Sequence, residues 1–185
     1  MTRKEIFIYG STLTVGLLLY IGASSIIGLN SFNKQNKLIF TPPESTGKEG
    51  ASIPSFTILL PDSSTNVKID SFYAGKQTVL IYFSPYCPYC QAEINEIIAN
   101  INRLKNINFC FLTPYSFTEM KNFYDHYKLN KYSNIQVGID NHYFFGKYFN
   151  TVKTPFIAIY DKDKKLNAAF VGVVSSDQII AVFKD

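Results

Sequence analysis

The chain has 185 residues, of which 46% are hydrophobic, 16% aromatic and 17% charged. That composition supplies a packed core for one modest domain and excludes a disordered chain. The net charge of +4 comes without a basic cluster, which argues against a nucleic-acid binder, and three cysteines are too few for a disulfide framework.

In chain order, Arg3 and Lys4 precede a run from Ile6 to Leu29 with no charged residue. Such a run is long enough to cross a bilayer as a helix, and the preceding cations favour an N-terminus kept in the cytoplasm. The expected organisation is a cytoplasmic N-terminus at 1–5, a transmembrane anchor at 6–29, a linker at 30–52 and a folded domain at 53–185. A cleaved secretion signal is the other reading, with a poor cleavage site near Ala23, Ser24 and Ser25. Ile26 and Ile27 carry the apolar run past that site and favour an uncleaved anchor. Both readings export the rest of the chain, to a compartment where disulfides persist. Residues 30–52 are polar, with Pro42 and Pro43, and read as a tether. An extension packed on the domain, with Leu38, Ile39 and Phe40 docked, is the alternative.

Phe56 to Leu60 predicts a short strand, Pro61 to Asn66 a turn, and Val67 to Ile69 a return strand. Val79 to Phe83 predicts a strand covered on both faces. Cys87, Pro88, Tyr89 and Cys90 follow Ser84 and Pro85. Ile94, Ile97, Ile98, Ile101 and Leu104 then share one helical stripe. Cys87 is therefore expected at a helix mouth, where unpaired amides and the dipole favour a thiolate. A thiolate attacks disulfides and a thiol does not, so Cys87 is the candidate nucleophile. Cys90, three residues on, returns to the same side and is the candidate resolving thiol. A zinc site would need a second ligand pair, and Cys110, His126 and His142 are scattered. No metal site and no cofactor are expected.

Ile107 to Leu112 predicts another strand, with Cys110 as a buried, inert thiol. Ser116 to Glu119 is a capping-box pattern, followed by a helical stripe of Met120, Phe123, Tyr124 and Tyr127. Ile135 to Val137 reads as a short strand, His142 to Phe149 as a short helix, and Phe156 to Tyr160 as a buried strand. A charged turn from Asp161 to Lys165 leads into a strand from Ala168 to Val174. Ser175 to Gln178 caps a final helix ending near Phe183. Strands alternating with helices indicate an α/β sheet, here with antiparallel edges.

These residues resemble the thioredoxin superfamily, and within it the membrane-anchored thiol–disulfide oxidoreductases of the TlpA and ResA type, over 53–185. The resemblance rests on Ile53 to Phe56, on Gly75-Lys76 before the central strand, and on the Cys87-Pro88-Tyr89-Cys90 motif. It rests also on Val152 to Phe156, which match the segment with the family's cis-proline, and on Asp161 to Lys164. It implies a three-layer α/β/α sandwich with a mixed central sheet and an inserted helix and strand between Ser116 and Val137, preceded by the transmembrane helix. It implies a Cys87–Cys90 disulfide in the oxidised state. Pro155 would be cis and face the cysteines, and Thr154 would align substrate backbone; an ordinary trans proline is the alternative. Tyr86, where the family usually has tryptophan, lines the partner groove or merely fills the surface, and Pro88 and Tyr89 would also meet substrate. Glu93 matches an acid that influences cysteine proton transfer, or is a solvated glutamate in the first helical turns. Ile81 stands where plain thioredoxin has a buried acid. His126 and His142 read as surface or groove residues.

The resemblance further implies a reductant of protein disulfides on the periplasmic side of a bacterial cytoplasmic membrane, acting on apocytochrome (cytochrome c biogenesis) or other envelope cysteines. A membrane electron donor would recharge it. A DsbA-like oxidant of the same fold is the near alternative. A peroxiredoxin fits less well, because Leu80 replaces that family's upstream proline. A copper-binding assembly factor fits less well too, because it uses CxxxC with a later histidine.

Overall fold

The computed structural model describes residues 40–72 and 75–184. The elements are β1 (Thr57–Leu59), β2 (Asn66–Lys68), α1 (Ile69–Phe72), β3 (Gln77–Tyr82), α2 (Pro88–Ala99), β4 (Ile107–Thr113) and α3 (Phe117–His126). A 3-10 turn (Leu129–Lys131), β5 (Ile135–Ile139), α4 (Phe144–Tyr148), β6 (Phe156–Tyr160), β7 (Leu166–Val171) and α5 (Ser176–Val182) follow. The seven strands form one sheet in the order β2-β1-β5-β4-β3-β6-β7. β3, β4 and β5 run parallel, while β1, β2, β6 and β7 join antiparallel. The expected mixed α/β sheet with antiparallel edges is therefore present. The segment after Ser116 adds α3 and places β5 between β4 and β1.

The continuous apolar runs of β3, β4 and β6 follow from cover on both faces. Val79, Ile81 and Phe83 pack with Ile94 and Ile97 of α2, Met120 and Phe123 of α3, and Ile179 of α5. Leu80 and Tyr82 point the other way and pack with Phe145 of α4, Phe149 and Ile69. Alternate residues of one strand thus serve two separate cores.

Some boundaries depart from the sequence expectation for reasons visible in the structure. The apolar stripe predicts α2 through Leu104, but the helix ends at Ala99, where the Asn100 side chain turns back to donate to the Glu96 carbonyl at 3.0 Å. Leu104 is still fully buried, through turns rather than helix. β7 ends at Val171 instead of Val174, because Gly172 takes φ +99°, a left-handed conformation that breaks the strand. The four-residue α1 follows β2 directly and carried no sequence signal.

The expected anchor at 6–29 lies outside the described residues. Among the described residues no helix is long and apolar enough to cross a membrane. From Thr41 onwards, the stretch that reads as linker follows the edge of β7. The Glu44 amide donates to the Ala169 carbonyl at 2.8 Å, Gly50 to Leu166 at 2.8 Å, and Ile53 to Lys164 at 2.9 Å. The Leu166 amide donates to Ala51 at 2.9 Å. Thr41 is buried, with its amide and carbonyl bonded to the Gln178 side chain. An open edge offers unpaired amides and carbonyls, and this strap satisfies part of that of β7.

Candidate active site

β3 ends at Tyr82 and the chain turns through Ser84 and Pro85 before α2 starts at Pro88. Proline suits the first helical position, where its missing amide would have no partner. Cys87 is the N-cap, with extended backbone at φ −79° and ψ 119°. The turn is fixed by the Cys87 amide donating to the Ser84 carbonyl at 3.2 Å and by the Gln91 side chain donating to Pro85 at 3.2 Å. Cys87 is half-buried, and Cys90 is buried at 1% exposure. Both are thiols in this structure.

Across from the pair lies the loop before β6. The Thr154–Pro155 peptide is cis. The Cys87 thiol donates to the Thr154 carbonyl at 3.4 Å, which puts the sulfur against the backbone just ahead of the cis-proline. Cys87, Cys90, Thr154 and Pro155 are therefore brought together. Pro88 and Tyr89 flank the pair and are exposed, as is Tyr86 at 65%.

The two sulfurs are electrostatically unlike. Partial burial works against ionisation of Cys87. The amides of Cys90 and Tyr89, the Cys90 thiol and the Thr154 side chain outweigh it and hold the Cys87 thiol below its ordinary value of 9.0. Burial pushes Cys90 up to about 12, partly offset by the Ser84 backbone and reinforced by charge on Cys87. One thiol is ready to ionise at the surface while its neighbour holds its proton beneath it.

Glu93 sits one turn beyond Cys90 and has no solvent exposure. One carboxylate oxygen accepts from the Val174 amide at 2.8 Å, and Oε1 has no partner. Desolvation raises its carboxyl to about 8, against the pull of the Val174 amide and with a smaller push from Glu96. The solvated alternative for this residue is thus replaced by a buried acid. Ile81, at the position of plain thioredoxin's buried acid, is wholly buried in the core. Cys110 is buried in β4, His126 lines the cleft beside Tyr86, and His142 is exposed. Among the described residues no three His, Cys, Asp or Glu side chains are grouped to hold a metal ion.

Two features were not read from the sequence as part of the site. Val152 stands 94% exposed two residues before Thr154. The Tyr86 hydroxyl donates to Glu119 Oε1 at 2.8 Å, tying the cysteine turn to the cap of α3. Glu119 gave only a capping-box signal, and its link to Tyr86 spans 33 positions that no local pattern reports.

A mixed sheet with a cysteine pair at a helix mouth, set against a cis X-Pro bond, is the arrangement of the thioredoxin fold. The family model described as a thioredoxin-like domain matches residues 73–185, and the chain belongs to that family. No curated protein matches it. Among solved structures it is similar to StoA from Bacillus subtilis, with a TM-score of 0.54 at 13% identity, covering 70% of this chain and 96% of that one. A secreted Mycobacterium tuberculosis disulfide oxidoreductase homologous to E. coli DsbE gives 0.55 at 19% identity, covering 69% and 91%. Peroxidoxin BcpB from Mycobacterium tuberculosis gives 0.62 at 12% identity, covering 74% and 96%. At these identities the likeness speaks for the fold alone.

Proposed function

We propose that this chain is a thiol–disulfide oxidoreductase that reduces disulfides of exported proteins through Cys87 and Cys90. The observation that carries the reading is the Cys87 sulfur at a helix N-cap, 3.4 Å from the carbonyl preceding a cis-proline. The Cys87 thiolate attacks one sulfur of a partner disulfide. That S–S bond breaks, the second partner sulfur leaves as a thiolate and takes a proton, and a mixed disulfide forms. Cys90 then loses its proton and attacks the Cys87 sulfur, releasing the first partner thiol. Two electrons pass to the partner, and a Cys87–Cys90 disulfide remains. Thr154 and Pro155 hold the partner backbone, while Tyr86, Pro88 and Tyr89 form the surface it meets.

Glu93 is the proton acceptor for Cys90. A thiol at about 12 gives up its proton slowly at neutral pH, and the ionised fraction of Glu93 one turn away, about a tenth at pH 7 and about half at pH 8, receives it. The reductant direction rests on the resemblance to the TlpA and ResA type, and the reduction potential of the Cys87–Cys90 pair reads it directly.

The uncharged run at 6–29 behind Arg3 and Lys4 supports a membrane anchor that holds the domain on the outer side of a bacterial cytoplasmic membrane. Recharging then falls to a membrane dithiol donor, and apocytochrome cysteines or other envelope disulfides are the substrates.

The test is trapping. Cys90→Ala should accumulate a mixed disulfide with partner protein through Cys87, and Cys87→Ala should form none while keeping its fold by circular dichroism. Disulfide exchange retained by Cys87→Ala would refute the nucleophile assignment.

A further inference from the structure

Tyr86 is mostly exposed, yet its ring is held at two points by residues outside its own turn. Its hydroxyl donates to Glu119 Oε1 at 2.8 Å, and its ring meets Tyr115 edge-on at 5.7 Å between centroids. An exposed aromatic fixed before a partner arrives has little ordering entropy left to lose on binding. Glu119 is itself fixed. Its Oε2 accepts from the Ser116 amide at 2.9 Å and from the Ser116 hydroxyl at 2.6 Å, as the second half of the α3 capping box. Ser116 and Tyr86 together hold its carboxyl below the usual range, so it is ionised.

Between the cysteine turn and α3 lies a cleft of about 450 Å³. Tyr86 and Gln91 form one side, Glu119 and His126 the other, with Phe123 and Tyr127 also in the lining. Glu119 is the sole carboxylate there; Lys121 and Asp125 of the same helix pair with each other at 2.5 Å. Oε1 of Glu119 holds one hydrogen bond, and a carboxylate oxygen accepts two. The cleft therefore offers a fixed negative charge with an open acceptor position, beside aromatic rings whose faces attract cations.

We propose that Tyr86 and Glu119 form a cation-accepting subsite beside Cys87, which selects partner polypeptides carrying an arginine or lysine near the target disulfide. The inference rests on the thiol–disulfide reading above and adds the chemistry of the partner. The cation lies between Glu119 Oε1 and the Tyr86 ring, and the partner cysteine is thereby brought to the Cys87 sulfur. Arginine suits the site better than lysine, because its planar guanidinium stacks on a ring while donating to a carboxylate.

Two peptide disulfides that differ only in one flanking residue, arginine or glutamine, test this with the full chain. The native protein should prefer the arginine peptide by about three- to tenfold in kcat/KM, through KM, and the preference should shrink as salt is raised. Glu119→Gln keeps the capping box, since glutamine serves in it equally, and should bring the preference close to unity. Tyr86→Phe keeps the ring but loses its tie, and should also reduce the preference. Equal KM values for the two peptides in the native chain would overturn the subsite alone. So would a preference that survives Glu119→Gln, or an equal loss on both peptides, which a merely structural role would produce. A native chain that reduces neither peptide would overturn the thiol–disulfide reading and this inference together.

Discussion

Glu93 is wholly buried, with one carboxylate oxygen unpartnered. Its carboxyl titrates near 4.5 when exposed and near 8 when folded, because burial penalises the charge. Below about pH 4.5 both states hold the proton, and the raised value costs nothing. As pH climbs towards 8 the unfolded chain has released a proton that the native state retains, so stability falls, and it levels off above that value. Glu93→Gln removes this dependence while keeping an oxygen for the Val174 amide. The stability of the variant relative to the native chain should rise by on the order of a few kcal/mol between pH 4 and pH 8, read from urea unfolding at each pH. A difference that stays constant over that range would mean that Glu93 is ionised in the folded protein. In exchange assays the same variant should slow release of the mixed disulfide by about a hundredfold, the scale of one positioned base.

Among the elements, β5 shows how tightly the inserted segment is seated. A Cβ at Gly138 would overlap the Ile58 side chain of β1. Gly138→Ala should therefore cost about 1–3 kcal/mol, measured by chemical denaturation; a neutral result would mean that β1 packs more loosely against β5. The strap along β7 makes a second element-scale prediction. The amides of Glu44, Gly50 and Leu166 should be protected from hydrogen exchange, whereas a free tether would leave Glu44 and Gly50 exchanging at unprotected rates. The same elements show what a sequence can report. β3, β4 and β6 were legible because burial on both faces writes an apolar run into consecutive residues. The Ser116–Glu119 cap was legible because it closes within four positions. The end of α2 was not, since the Asn100 cap overrides an apolar stripe that runs on to Leu104. The docked strap was legible only as the alternative to a tether, and not through Phe40, which stands exposed: its backbone partners on β7 lie more than a hundred positions away. Family resemblance pointed to Glu93, but the amide its buried carboxyl meets, that of Val174, lies 81 positions downstream.

At the scale of the molecule, the parallel centre of the sheet delivers the chain from the end of β3 to the mouth of α2, and antiparallel β6 brings the cis-proline loop back to the same end. Two cores, one on each face, flank the sheet that carries this meeting point. The consequence is a pair of neighbouring thiols with opposite tendencies, Cys87 lowered and Cys90 raised to about 12. Everything proposed for the chain requires that asymmetry. It is read most directly by alkylating the reduced protein across a range of pH and locating the label by mass spectrometry. Cys87 should be modified first, with a midpoint below the ordinary 9.0, while Cys90 stays protected until strongly alkaline pH. Labelling of Cys90 before Cys87, or a Cys87 midpoint at or above 9.0, would contradict the account.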